Sequence, residues 1–227
     1  MKQLSARQIA GMIDHTLLKP DATLGQISQL CREARENRFA AVCVNPFYIS
    51  QVYTLLKGSG VKTCSVIGFP LGASRSPDKT AEAGSVLSSG AQEVDMVMNI
   101  GALKDRNDVI VLHDIAGVAG ICHAHGAVLK VIIETGLLTQ EEKERACRLC
   151  VRAKADFVKT STGFGCGGAT VDDVRLMAAA VKDSGLGVKA SGGIRTYADA
   201  CAMISAGAVR LGTSAGVSIV REALAEK

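Results

Sequence analysis

Eight short runs of apolar or β-branched residues recur along the chain, at 13–16, 41–44, 62–67, 93–98, 128–133, 157–159, 187–190 and 209–212. Between them lie stretches with the 3.6-residue periodicity of amphipathic helices, at 24–36, 77–88, 108–123, 140–154, 171–184 and 196–206, and 214–225 closes the series. A strand followed by a helix, repeated eight times, predicts an α/β single-domain (β/α)8 (TIM) barrel covering residues 1–227, with a short helix before the first strand. The competing architecture, a doubly wound open sheet, would carry a Gly-x-Gly-x-x-Gly turn after its first strand. The chain reads Leu17-Leu-Lys-Pro-Asp-Ala-Thr23 there, which favours the barrel.

Composition removes several function classes. The 227 residues are 48% hydrophobic and 21% charged, enough to bury one sizeable core. The net charge is +4 without any Lys/Arg run, tryptophan is absent and aromatics are 4%, so nucleic acid is not expected as a partner. The first residues lack the apolar core of a signal peptide and no apolar run reaches membrane-spanning length, so a cytoplasmic chain without a membrane partner is expected. Eight cysteines spread over strands and helices read as free thiols. Cys147 and Cys150 have CxxC spacing, but with no second pair and no adjacent histidines that spacing places both on one helix face rather than in a zinc or redox site.

In a (β/α)8 barrel the chemistry sits at the carboxyl ends of the strands. Sorting the polar residues by that rule collects Asp14, Thr16, Cys43, Asn45, Asp95, Asn99, Glu134, 159–162, 189–193 and 212–214 on one rim. Lys159 and Lys189 each end a strand and open into a small, glycine-containing loop. Two ammonium groups in one pocket cannot both ionise cheaply, so one of the two is expected to be nucleophilic near neutral pH, a property that suits Schiff-base chemistry. Asp95 interrupts a run that should be apolar and needs a cationic partner, for which Lys159 and Lys189 are candidates; Asp14 poses the same question on the first strand, next to strands seven and eight once the sheet closes. An acid on each side would hold Lys189 protonated and leave Lys159 neutral. A structural salt bridge is the competing reading for both acids.

Gly192 and Gly193 after the seventh strand, with Gly212 and Ser214 before the last helix, fit the anion site that many barrels build from their final two loops; Thr162 and Gly163 extend it. A small phosphorylated substrate is therefore expected. His15 is the one histidine near this rim, whereas His113, His123 and His125 belong to the opposite end, so no metal constellation is expected and no cofactor is implied. Cys43 reads as pocket lining or packing.

The stretches beginning at Ile13-Asp-His-Thr-Leu-Leu, Val66-Ile-Gly-Phe-Pro-Leu-Gly, Glu93-Val-Asp-Met-Val-Met, Lys130-Val-Ile-Ile-Glu-Thr-Gly, Lys159-Thr-Ser-Thr-Gly-Phe-Gly and Lys189-Ala-Ser-Gly-Gly-Ile-Arg, with Gly212-Thr-Ser, occur in an order that together resembles the deoxyribose-phosphate aldolases, class I aldolases of (β/α)8 fold. The resemblance implies reversible cleavage of 2-deoxy-D-ribose 5-phosphate, with Lys159 as the Schiff-base lysine, Asp95 as the proton-relay aspartate, Lys189 as the second lysine and Asp14 as the acid beside it. Cys166, where that pattern has proline, the loop at 74–80, and Phe164, where some relatives carry a cation, depart from the pattern. The alternatives are a Schiff-base aldolase for another phosphosugar and a non-enzymatic phosphosugar-binding barrel. A homodimer is the default assembly for a compact barrel.

Overall fold

The computed structural model describes residues 4–165 and 167–226; Cys166 and the departure it represents lie outside the described residues. Eight parallel strands close into a barrel in sequence order: β1 (Ile13–Leu17), β2 (Ala41–Val44), β3 (Lys62–Ile67), β4 (Glu93–Val97), β5 (Val128–Ile132), β6 (Phe157–Lys159), β7 (Gly187–Ser191) and β8 (Arg210–Thr213), with β8 pairing back onto β1. The barrel expected from the alternation is the one observed, and the strand ends lie within a residue or so of expectation.

Helices cover the outside. α1 (Ala6–Ala10) precedes β1, and α2 (Leu24–Asn37), α3 (Ile49–Leu56), α4 (Ser76–Ser88), α5 (Ile100–Lys104), α6 (Asp108–Ala124), α7 (Gln140–Arg152), α8 (Val171–Ala180), α9 (Tyr197–Ser205) and α10 (Gly216–Ala225) follow in turn. Their starts are written in the sequence. Ser5, Thr23, Thr139 and Thr196 each cap a helix whose third residue, Gln8, Gln26, Glu142 or Asp199, reaches back to the cap, satisfying backbone N–H groups that no helical carbonyl can reach. No helix among the described residues is long and apolar enough to cross a membrane.

Three expectations need correction. The segment between β2 and β3 holds a 3-10 turn (Pro46–Tyr48) and α3, whose Ile49, Val52 and Leu56 are buried at helical spacing. The loop expected at 74–80 is half helix: α4 begins at Ser76, Arg75 pairs with Asp78, and Lys79 is fully buried with its Nζ 2.5 Å from Asp114 and 2.9 Å from the carbonyl of Val97. The last helix starts at Gly216 rather than at Ser214, because β8 runs on through Thr213 and Thr213 Oγ1 accepts from the amide of Ala215.

The core divides in two. The larger apolar cluster lies between sheet and helices, whereas Leu18, Ala41, Cys43, Cys64 and Val66, with Phe69 against them, form a small apolar sector inside the barrel on the β1–β3 side. The rest of the interior holds the buried charged residues, with Val97 and Ile132 among them. Strand alternation decides which residue enters: on β1, Asp14 points inward and is fully buried, while His15 turns outward, its Nε2 2.7 Å from Glu33 of α2 and its ring 5.0 Å from Phe39. His15 is thus part of the sheet–helix packing and does not line the rim.

Candidate active site

Each strand sends one polar or sulfur-bearing side chain toward a common centre. Asp14 comes from β1, Cys43 from β2, Cys64 from β3, Asp95 from β4, Lys130 from β5, Lys159 from β6, Lys189 from β7 and Arg210 from β8; Glu93 of β4 adds a second carboxylate one layer below Asp95. All except Arg210 are at most 3% exposed. Removing charges from water costs several kcal/mol per ion, so this cluster stands only because its members neutralise one another.

Asp95 is the hub. Its Oδ2 accepts from both Lys159 Nζ and Lys189 Nζ at 2.7 Å, and its Oδ1 accepts from Lys130 Nζ at 2.8 Å and from the Cys64 thiol at 3.2 Å. Lys189 also donates to Asp14 Oδ2, while Asp14 Oδ1 accepts from Arg210 at 2.6 Å. Arg210 forks onto Glu93 at 3.1 and 3.3 Å, and Lys130 meets Glu93 at 2.6 Å. The sequence-expected residues Asp14, Asp95, Lys159 and Lys189 are therefore in one network. Lys130, Glu93 and Arg210 were missed, although each is a charged residue inside a buried strand, the same signal that marks Asp95.

The electrostatics follow from these contacts. Burial works against the charge of Asp95, yet Lys130, Lys159 and Lys189 hold its carboxyl well below the usual carboxylate range; Asp14 is lowered in the same way by Lys189, Lys130 and Arg210. Burial likewise opposes the charge of Lys189 and of Lys130, but Asp14 and Asp95 raise the first above an ordinary lysine, and Asp95, Cys64, Glu93 and Asp14 raise the second. Lys189 is a committed cation sharing one carboxylate oxygen with Lys159. The hydrogen bond from Cys64 lowers Cys43, and burial raises Cys64.

Two trios of ligand-type atoms lie within 4.8 Å of one another, Cys43–Cys64–Asp95 and Asp14–Cys64–Glu93, a grouping the sequence did not show because each comes from separate strands. Their carboxylates are already taken by ammonium and guanidinium groups, which a metal ion would have to displace.

The supporting and anion-site residues separate. Thr16 Oγ1 donates to the carbonyl of Asp14 at 2.8 Å, fixing the end of β1, and Cys43 lies in register with both Thr16 and Cys64. Gly192 and Gly193 have φ of +88° and +81°, and Gly168 packs so closely on Gly192 that a Cβ on Gly168 would sit 2.4 Å from the Gly192 carbonyl oxygen. Ser214 is exposed ahead of α10, whose N-cap residue Ala215 has no polar side chain to cap it and gives its own amide to Thr213 Oγ1. Gly163, φ +85°, opens the loop after β6.

Two members of the expected anion set behave otherwise. Thr162 spends both its donors on Glu134 Oε2, the amide at 3.1 Å and the hydroxyl at 2.5 Å. Gly212 sits in the barrel wall, where a Cβ would lie 2.9 Å from Ser191 Cβ and 3.1 Å from Lys189 Cε. Its missing side chain makes room for Lys189. Gly212→Val should therefore push Lys189 off Asp14 and Asp95 and reduce kcat at least ~10-fold, with a lowered Tm of several degrees, as overpacking of ~1–3 kcal/mol implies; unchanged kcat would show that the lysine does not need this space.

Phe164, half-exposed, packs edge-on to Phe69 with ring centroids 5.4 Å apart, so the departure from a cation at this position puts an aromatic contact between the loops after β3 and β6. His123, at the far end of the barrel, is 3.1 Å from Asp156.

Comparison with known proteins agrees with this geometry. A family model described as DeoC/LacD family aldolase matches residues 9–226. The chain belongs to the DeoC/LacD family of aldolases. Among its relatives, the deoxyribose-phosphate aldolase of Geobacillus sp. (strain WCH70) is 58% identical over 212 residues, covering 93% of this chain and 94% of that one. Deoxyribose-phosphate aldolase 1 of Bacillus licheniformis is 57% identical over 221 residues, covering 97% and 98%. A tetrameric structure of deoxyribose phosphate aldolase from Aeropyrum pernix superposes with a TM-score of 0.90 at 38% identity, over 96% of this chain and 92% of that one.

Proposed function

We propose that the protein is a carbon–carbon lyase that reversibly cleaves 2-deoxy-D-ribose 5-phosphate to acetaldehyde and D-glyceraldehyde 3-phosphate through a Schiff base on Lys159. The observation that carries the mechanism is the sharing of Asp95 Oδ2 by Lys159 and Lys189, which puts an amine, a fixed cation and a carboxylate within hydrogen-bond reach at the carboxyl end of a barrel.

In this reading Lys159 attacks C1 of the open-chain aldehyde and loses water to give an iminium. A base then takes the proton of the C3 hydroxyl. The two-carbon and three-carbon products require scission of C2–C3, not C3–C4; its electron pair flows into the iminium to give an enamine, and the C3 oxygen becomes the carbonyl of glyceraldehyde 3-phosphate. Protonation at C2 and hydrolysis of the new iminium release acetaldehyde and restore Lys159. Asp95, held ionised by its cations, is the acceptor in reach, and Lys189 the donor that returns the proton through it or a bridging water. Gly163, Gly192, Gly193, Ser214 and the uncapped start of α10 receive the phosphate through backbone N–H groups.

The experiment is a retro-aldol assay on 2-deoxyribose 5-phosphate in the presence of excess EDTA, because the iminium is itself the electron sink. Release of acetaldehyde and trapping of substrate by borohydride are expected. Loss of activity on chelation, restored by a divalent ion, would move the protein to a metal-dependent mechanism, and binding without turnover would favour a phosphosugar-binding barrel. The assembly we read as a homodimer, although the Aeropyrum pernix neighbour is tetrameric; sedimentation equilibrium separates the two.

A further inference from the structure

The barrel interior holds four basic side chains, Lys130, Lys159, Lys189 and Arg210, against three carboxylates, Asp14, Glu93 and Asp95. With every group ionised the cluster carries one positive charge too many in a medium where an unbalanced charge is costly. One cation must be the easiest to discharge. Arg210 cannot lose its proton in this range. Lys130 touches Asp95 and Glu93 with Asp14 at 3.6 Å, and Lys189 touches Asp14 and Asp95, whereas among the described residues Lys159 has Asp95 as its one carboxylate partner and shares that oxygen with Lys189. The other ionisable groups facing this centre are the thiols of Cys43 on β2 and Cys64 on β3; Glu134, after β5, directs its carboxylate to Thr162.

We propose that Glu93, which touches neither Lys159 nor Asp95 in this network, is a positioning residue that sets the charge balance of the barrel interior through Lys130 and Arg210 and thereby fixes the pH at which the lysine at the rim becomes an amine. The inference rests on the Schiff-base reading of Lys159 and adds a control on it from the floor of the barrel. The count makes signed forecasts that a purely structural role would not. Glu93→Gln leaves four cations against two carboxylates and should move the rising limb of the kcat/KM pH profile down by about one unit, the effect of one charge at roughly 10 Å and an effective dielectric near 20. Lys130→Met leaves three against three and should move it up by more than that, because Lys130 and Lys159 hold the two oxygens of one carboxylate, at 2.8 and 2.7 Å. Combining the two restores an excess of one and should bring the limb back up from its Glu93→Gln position by the Lys130→Met shift, even though two buried contacts are gone.

The test is the pH dependence of kcat/KM for the wild type, both single variants and the pair, with borohydride trapping of substrate on the wild type as a reference. A downward shift for Glu93→Gln, an upward shift for Lys130→Met and a double variant at the sum of the two support the count. A limb that stays put in Glu93→Gln, or a pair whose limb lies at or below that of Glu93→Gln alone, overturns it. Should Lys130→Met fail to fold, the isosteric Glu93→Gln still decides by the sign of its shift. Absence of any adduct on the wild type is a different result, since it removes the Schiff base itself rather than its control.

Discussion

Lys159→Arg is expected to lower turnover of 2-deoxyribose 5-phosphate by on the order of 10⁴-fold or more and to leave no borohydride-stable adduct, while circular dichroism and Tm stay close to wild type. Arginine keeps a positive charge against Asp95, so the network that holds the end of β6 survives, but a guanidinium cannot condense to an imine under these conditions. Lys159→Ala should be equally inactive. Asp95 Oδ2 then retains Lys189, and Oδ1 retains Lys130, so no carboxylate is orphaned by that change either. A substrate adduct on the Lys159→Ala protein would reassign the nucleophile to Lys189 or Lys130, the two other amines at the same carboxylate.

Asp95→Asn is expected to be the most damaging isosteric change. Three ammonium groups, from β5, β6 and β7, converge on this carboxylate, and an amide offers them one acceptor oxygen and turns its NH2 group toward the rest. Removing one partner from a buried ionic cluster costs about 3–5 kcal/mol, a large share of an ordinary domain's stability. The proton acceptor next to the rim goes with it, so kcat should fall by about 10²–10⁴-fold in addition. Urea denaturation and steady-state kinetics on the same preparation separate the two effects. Wild-type stability in Asp95→Asn would mean that the lysines find other anions and that the hub is not Asp95.

The barrel was legible in the chain because parallel strands buried on both faces leave a distinctive trace, short continuous apolar runs at regular intervals. The same trace made Asp95 conspicuous and placed Asp14 opposite β7 and β8. It should have exposed Lys130 as well, which sits between Leu129 and Val131 in a strand with no business holding a charge, and Arg210 before Leu211. Their partners could not be read, however, because an ion pair across the barrel joins residues far apart in the chain, and period-two alternation tells that a side chain faces inward without telling whom it meets. His15 was misplaced for the related reason that proximity to the rim in sequence says nothing about which face of β1 it occupies. The space that Gly212 leaves for Lys189 could not be read, because a glycine that makes room for a neighbouring strand's lysine and a glycine that admits a phosphate look alike in one dimension. α3 was not among the helical stretches although Ile49, Val52 and Leu56 follow helical spacing.

Asp14 lies on the first strand, and the cations in hydrogen-bond contact with it, Lys189 and Arg210, follow 175 and 196 residues later, with Lys130 of β5 farther off at 3.6 Å. Until the last two strands have paired, a carboxylate destined for a water-free centre has only Lys130, across the ring, as a counter-ion, and it stays hydrated only if the nascent sheet stays open between β6 and β1. The groups assigned here to chemistry thus also act as a seam: premature closure of a six-stranded intermediate is opposed by the cost of drying Asp14, and final closure is favoured when β7 and β8 bring their charges to it.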